Sequence, residues 1–472
     1  MIKSKPVQIL KQFTVWELRD FEKFIDSEFF SGNIQVRSLF RLIKKEHPKM
    51  ESPALEKENI FKKLFPKEKY EESKLRHLFS DLAKMLEEFI IIRELSGKPV
   101  RKKLLLLDYY ERRGLEKYFN QIFEDSIRVQ LKDPIKDAGW FFNQYLLEEK
   151  AYTFSQRLKS RSLDNNLQTL VNYLDLFYIT NKLKHSGEML TRELLLKVSY
   201  DKPFLEEIIN YISDGKFKGY AAVEIYELIV LMHIHPEEDA YYRKLLELLE
   251  THADEFSKEE LVDMYVFAQN FCTNRINSGH TEYLKEIFHL YKKMIALDAI
   301  FENGYVRPNV FKNIVTVGIR LEEFDWIEKF IDDYKDRLDP KTRENAVNYN
   351  MAWLEYAKKN YRKALRYLAN ADLMDIFYLL GAKCLLLKIY YETENLDAFY
   401  ALTESFYMYL RRNNQIADSQ KEAHLQFIKT IKQLMKLKME RDKKGARKMH
   451  EELSAGKNVL DLSWFLKKLE SI

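Results

Sequence analysis

A chain of 472 residues with only 13 Gly and 10 Pro lacks the turn chemistry of a sheet-rich fold, since ordinary usage would supply roughly 33 and 24. An apolar fraction of 46% is enough for a core and excludes global disorder, and two cysteines far apart, Cys272 and Cys384, exclude a disulfide framework. The net charge of +4 hides a segregation, +7 over residues 1–103, −10 over 104–410 and +7 over 411–472, a field suited to steering partners.

The first stretch, 1–97, reads as an N-terminal helical module. Thr14-Val15-Trp16-Glu17 fits a capping box, with Leu18, Phe21 and Ile25 following on one face. A second helix is expected over 36–46. Ser52-Pro53 places a cap before a proline and opens a helix expected to end near Phe65-Pro66. A long amphipathic helix follows over 71–95, with Leu75, Leu78, Phe79, Leu82, Leu86 and Phe89 at helical spacing. Gly97-Lys98-Pro99 ends it.

From residue 100 to 410 the pattern is one of helical hairpins. Pairs are expected over 104–113 with 115–131, 138–158 with 163–184 through Ser160-Arg161-Ser162, 203–213 with 220–233, and 242–252 with 258–275. Tyr242, Tyr283, Phe324, Tyr361 and Leu396 recur at intervals of 41, 41, 37 and 35 residues. Such units cannot bury their apolar faces alone, so stacking supplies the core.

The clearest copy is 361–372, where an aromatic at the turn, Tyr361, is followed by Ala364, Leu368 and Ala371. Together with Met351-Ala352 in the preceding helix, and poorer copies over 382–406 and 311–334, this pattern resembles the tetratricopeptide repeat over about residues 305–410. The expected fold is all-α, an irregular tetratricopeptide-like α-solenoid behind the N-terminal module. In that family the first helix of each pair lines a concave face. The resemblance therefore implies a partner-binding groove of Lys312, Thr316, Tyr349, Trp353, Tyr356, Lys388 and Tyr391, with an aromatic floor and basic edges. Aromatics dominate binding hot spots, and lysines suit an acidic peptide or a C-terminal carboxylate.

The C-terminal segment, 411–472, is basic. Lys429, Lys432, Lys436, Lys443 and Arg447 fall on one line of a continuous helix, beside a stripe of Ile428, Ile431, Met435 and Met439. Gly445 is the expected interruption. The lysines suit phosphates, an anionic surface or the acidic middle of the same chain. The run Leu75-Arg76-His77-Leu78-Phe79-Ser80 invites a DNA-reading helix, but core packing explains its pattern better.

No catalytic arrangement stands out. Phosphate-cradling glycine loops and the nucleophile elbow have no match in the sequence. His233 and His235 with Glu237, Glu238 and Asp239 are the densest candidate metal ligands, but residues two apart on a helix diverge, and an inter-helix turn at Pro236 accounts for them. Cys272 reads as a buried structural thiol. The opening residues 1–6 carry no apolar run, and the longest aliphatic runs, 89–92 and 104–107, are too short to span a bilayer. The expectation is a cytoplasmic, non-enzymatic scaffold or adaptor that binds a protein or peptide, without cofactor, metal or transmembrane segment. The alternative is a nucleic-acid-associated regulator using the basic ends.

Overall fold

The computed structural model describes residues 3–30, 33–157, 165–196, 198–370, 376–414, 416–456 and 459–472. Two compact units emerge, Met1–His185 with Pro203–Val223, and Ser186–Lys202 with Glu224–Ile472. The described residues are almost wholly helical, as the scarcity of Gly and Pro requires.

The first unit is built from α1 (Lys5–Gln12), α2 (Val15–Asp26), α3 (Ile34–Lys44), α4 (Lys57–Leu64), α5 (Glu72–Ser96), α6 (Pro99–Arg112), α7 (Glu116–Lys132), α8 (Ala138–Arg157), much of α9 (Asn165–Leu196), α10 (Leu205–Ser213) and the start of α11 (Ala221–Ile234). The capping box forms: the Glu17 N–H donates to Thr14 Oγ1 at 3.2 Å, and the Thr14 N–H donates to Glu17 Oε2 at 2.6 Å. Such a cap is worth about 1 kcal/mol. The same N–H holds the Glu17 carboxyl below its usual range. The apolar faces of α1 to α5 close on Phe21, which meets Phe40 and Phe89 edge-on at 4.9 and 5.3 Å. A separate core gathers α6 to α8 around Phe119, stacked on Phe154 at 3.9 Å.

Two expectations here need correction. The helix expected from Ser52 is two pieces, a single 3₁₀ turn over Pro53–Leu55 and then α4, parted by extended backbone at Glu56. The helix expected over 163–184 runs on to Leu196. His185-Ser186-Gly187 does not stop it, because burial of Ser186 and its neighbours outweighs the cost of a mid-helix glycine, about 1 kcal/mol. The expected turn at Ser160-Arg161-Ser162 lies outside the described residues, as does Ala371.

The second unit continues through α12 (Asp239–Thr251), α13 (Lys258–Asn277), α14 (Tyr283–Ala296), α15 (Pro308–Arg320), α16 (Phe324–Tyr334), α17 (Arg343–Ala357), α18 (Tyr361–Ala369), α19 (Ile376–Glu392), α20 (Leu396–Arg412), α21 (Asp418–Glu440), α22 (Lys443–Ser454) and α23 (Leu462–Leu469). Chain neighbours pack as pairs, α13 with α14, α15 with α16, α17 with α18 and α19 with α20. The first helices also touch in succession, α15 with α17 and α17 with α19. Tyr283, Phe324, Tyr361 and Leu396 each begin the second helix of a pair, whereas Tyr242 lies inside α12.

The turns before three of these residues share one geometry. Glu322, Lys359 and Glu394 take positive φ, and the next N–H reaches back to Gly318 O, Glu355 O and Tyr390 O at 2.8–3.0 Å. Such reach-back bonds satisfy carbonyls that the helix end would orphan. A short hairpin, β1 (Phe301–Glu302) with β2 (Tyr305–Val306), interrupts the helices, and Asn303-Gly304 at its tip is the standard hairpin turn pair, both residues at positive φ.

The basic stripe does not lie on one helix. Arg441 adopts left-handed backbone and ends α21, and Asp442 accepts the Gly445 N–H at 2.9 Å to cap α22. Lys443 and Arg447 therefore leave the line of Lys429, Lys432 and Lys436, and the break falls before Gly445, not at it.

Candidate functional site

Three consecutive first helices supply the candidate groove. In α17, Tyr349, Trp353 and Tyr356 stand at intervals of four and three, on one helical face. Lys388 and Tyr391 repeat that spacing on α19, and Lys312 and Thr316 on α15. Ring follows ring: Tyr349 meets Trp353 at 6.4 Å, Trp353 meets Tyr356 at 6.1 Å, and Tyr356 meets Tyr361 at 5.8 Å. Lys312 Nζ lies 5.5 Å from the Tyr349 ring centre, and Lys388 Nζ lies 5.1 Å from that of Trp353. Thr316 is exposed and spends its hydroxyl on Lys312 O at 2.8 Å, so it does not line the ring cluster.

The floor depends on a small residue. At Gly381 a Cβ would fall well inside contact distance of the Tyr349 hydroxyl, so α19 approaches Tyr349 only because that atom is absent. Tyr349 is consequently buried, and burial raises the pKa values of Tyr349, Tyr356 and Tyr391, keeping each hydroxyl protonated near neutral pH. The Trp353 indole N–H is buried beside the Tyr349 hydroxyl.

The face is not open along its length. The chain's own terminal segment sits over Lys388, Tyr356 and Tyr391. Asp461 Oδ2 lies 2.7 Å from Lys388 Nζ. The Trp464 indole N–H donates to the Tyr356 hydroxyl at 2.8 Å, and that hydroxyl donates to Glu392 Oε1 at 3.3 Å. Trp464 stands edge-on to Tyr391 at 5.4 Å, and Lys388 Nζ lies 5.0 Å from its ring. Lys468 closes the far side on Glu392 at 2.7 Å. Lys388 is thus 3% exposed, between two indoles, and not a basic edge. Tyr391 reaches the other expected residues through Trp464.

Asp461, Trp464, Lys468 and Glu392 were not among the expected site residues. Apolar side chains at 462, 465, 466 and 469 carry the signal for α23, a period overshadowed by the basic run before it.

The remaining candidates are engaged elsewhere. His233 Nδ1 donates to Ile229 O at 2.8 Å and its Nε2 faces Thr191 Oγ1 at 2.9 Å, whereas His235 is exposed and 3.9 Å from Glu238, so the two rings do not converge. Burial lowers the His233 pKa. Among the described residues no group of three metal-ligating side chains is brought together. Cys272 is buried and donates to the Tyr242 hydroxyl at 3.2 Å, with its thiol pushed up to about 12 by burial. A cleft of about 360 Å³ beside His233 is lined by Met232, Phe271 and Arg275. The Arg275 guanidinium is spent on Glu237 and on Asp239 at 3.4 Å, over the ring of Tyr283. Of the basic stripe, Lys432 pairs with Glu404 at 2.7 Å and Lys436 with Glu440 at 3.8 Å. Leu75, Leu78 and Phe79 are buried in the first core, leaving Arg76 and His77 outside.

Among the described residues no helix is long and apolar enough to cross a membrane. Set against family models, curated proteins and solved structures, the chain matches none.

Proposed function

We propose that the protein is a non-enzymatic interaction scaffold, an irregular tetratricopeptide-like α-solenoid working in the cytoplasm, that binds a peptide or protein segment along the face formed by α15, α17 and α19. The observation that carries the reading is the cluster Lys312, Tyr349, Trp353, Tyr356 and Lys388, in which three successive rings of one first helix are flanked by a lysine from each neighbouring first helix. Rings give contact area at low entropic cost, and cations held against them suit acidic groups. Lys388, enclosed between two indoles and met by a carboxylate, supports the reading.

The alternative of nucleic-acid binding draws less support, because the lysine line is split at Arg441 and Lys432 is neutralised by Glu404. The test is capture of partners from native lysate by the full chain, its Trp353→Ala, Tyr356→Ala variant, and a Trp16→Ala control on the first unit. The groove reading expects a specific captured chain to be lost from the double variant and kept by the control. Unchanged capture by a stably folded double variant removes this face as the site.

A further inference from the structure

The segment 461–464 contacts the groove differently from the way the rest of α23 contacts the core. Phe465 and Leu469 are buried in the apolar cluster with Phe427, which Phe465 meets at 5.4 Å. Toward the groove Trp464 packs on Tyr391 within the same apolar cluster, and polar, side-chain-specific contacts are added: carboxylate to Lys388, indole N–H to Tyr356, and the Lys388 ammonium over the Trp464 ring. Asp461 is still 44% exposed at its side chain and, just before the first residue of α23, holds left-handed backbone, a conformation that Asp tolerates better than most residues. α23 itself has only 8 residues, too few to be stable unless docked.

We infer that the groove is a receptor for a helix start of the form Asp-x-x-Trp, and that the resting chain fills it with its own Asp461-Leu462-Ser463-Trp464, so that a partner peptide of this chemistry binds by displacing the chain's own copy. This rests on the reading of α15, α17 and α19 as a peptide groove. It names what the groove selects: a carboxylate for Lys388, and an indole three residues on that donates to the Tyr356 hydroxyl while packing on Tyr391. A tethered segment competes at an effective concentration in the millimolar range for a short connection. A free peptide with the same contacts therefore binds the resting chain weakly and a chain with the segment disabled strongly.

The probe is a labelled synthetic peptide with the sequence of residues 459–472, titrated against the full chain, an Asp461→Ala, Trp464→Ala variant, and that variant with Lys388→Met added. The expected result is binding to the disabled variant at least about tenfold tighter than to the unaltered chain, lost when Lys388→Met is added or when the peptide's own Trp is replaced by Ala. Equal binding to the unaltered and disabled chains, or none to a disabled chain of native helix content, overturns the inference. Should the disabled variant not fold, the unaltered chain still decides. Millimolar peptide is expected to speed hydrogen exchange over 462–469, and an unchanged rate overturns the inference. Loss of lysate capture on Trp353→Ala, Tyr356→Ala, with no peptide binding in these titrations, would remove the inference and leave the groove reading standing.

Discussion

Two cations in the second unit are buried against aromatic rings, and they are held in different ways. Arg275, 8% exposed, lies over Tyr283 and pairs with Glu237 and Asp239, which belong to the turn before α12 and to α12's first residue. Asp239 and Tyr283 sit on helices packed directly on its own, since α12 and α14 both contact α13. Lys388, 3% exposed, lies between Trp353 and Trp464 and pairs with Asp461, a residue far along the chain at the head of a short terminal helix. The chemistry is the same, but one partner set comes from adjacent elements of the chain and the other from the head of a terminal helix, proposed above to be displaceable. Burial of a charge therefore does not by itself distinguish a structural pair from an occupied site.

Ring deletion breaks the comparison most strongly. Tyr283→Ala removes a buried ring packed against Phe271 and Tyr242, with an expected global loss of about 3–4 kcal/mol in urea unfolding. Trp464→Ala is expected to cost about 1–2 kcal/mol, because once α23 lets go no further loss accrues to the hairpins beneath. Equal losses at the two rings would mean that α23 is as integral as α14.

Next in size is Gly381→Ala. Its methyl group must displace the Tyr349 hydroxyl or push α19 away, and an overpacked core of this kind loses about 1–3 kcal/mol. The displacement should also be visible as a change in near-ultraviolet circular dichroism from the Tyr349 and Trp353 rings. A neutral substitution would show that the approach of α19 to α17 is not held by this contact.

The smallest effect is one of pH. Burial lowers the pKa values of His233, beside the Arg275 cleft, and His424, which packs against Phe406. Unfolded, each titrates near its ordinary value of about 6.5. Above that pH both states are neutral and nothing is lost. As pH falls below it, the unfolded chain takes up protons that the folded chain refuses, so stability declines toward the folded pKa values. Urea midpoints at pH 7.5 and 5.5 are expected to fall in that order, and His233→Gln, His424→Gln should flatten the slope.

Much of this was legible in the sequence. The capping box at Thr14, the long helix over α5 and the starts of α14, α16, α18 and α20 follow from cap chemistry and apolar spacing, both local signals. The two-residue hairpin was missed although Asn303-Gly304 announced it, because the helical pattern on either side dominated the reading. The turns before Phe324, Tyr361 and Leu396 carry Glu322, Lys359 and Glu394 where glycine would be cheaper, so sequence alone does not mark their left-handed backbone. The helical spacing of the expected groove residues was legible one helix at a time, from the repeat register. What covers them was not, since the meeting of Asp461 with Lys388 and of Trp464 with Tyr356 is set by tertiary packing across the chain and leaves no periodic trace.

Native-state hydrogen exchange on the full chain tests most directly whether the proposed groove carries a removable occupant. The account predicts that amides of α23 exchange through a local opening that barely depends on urea, while those of α17 and α19 beneath it exchange only with much larger unfolding. Exchange of α23 at the same free energy and with the same urea dependence as α19 would contradict it, making the terminal helix a fixed part of the core and the groove a packed interior.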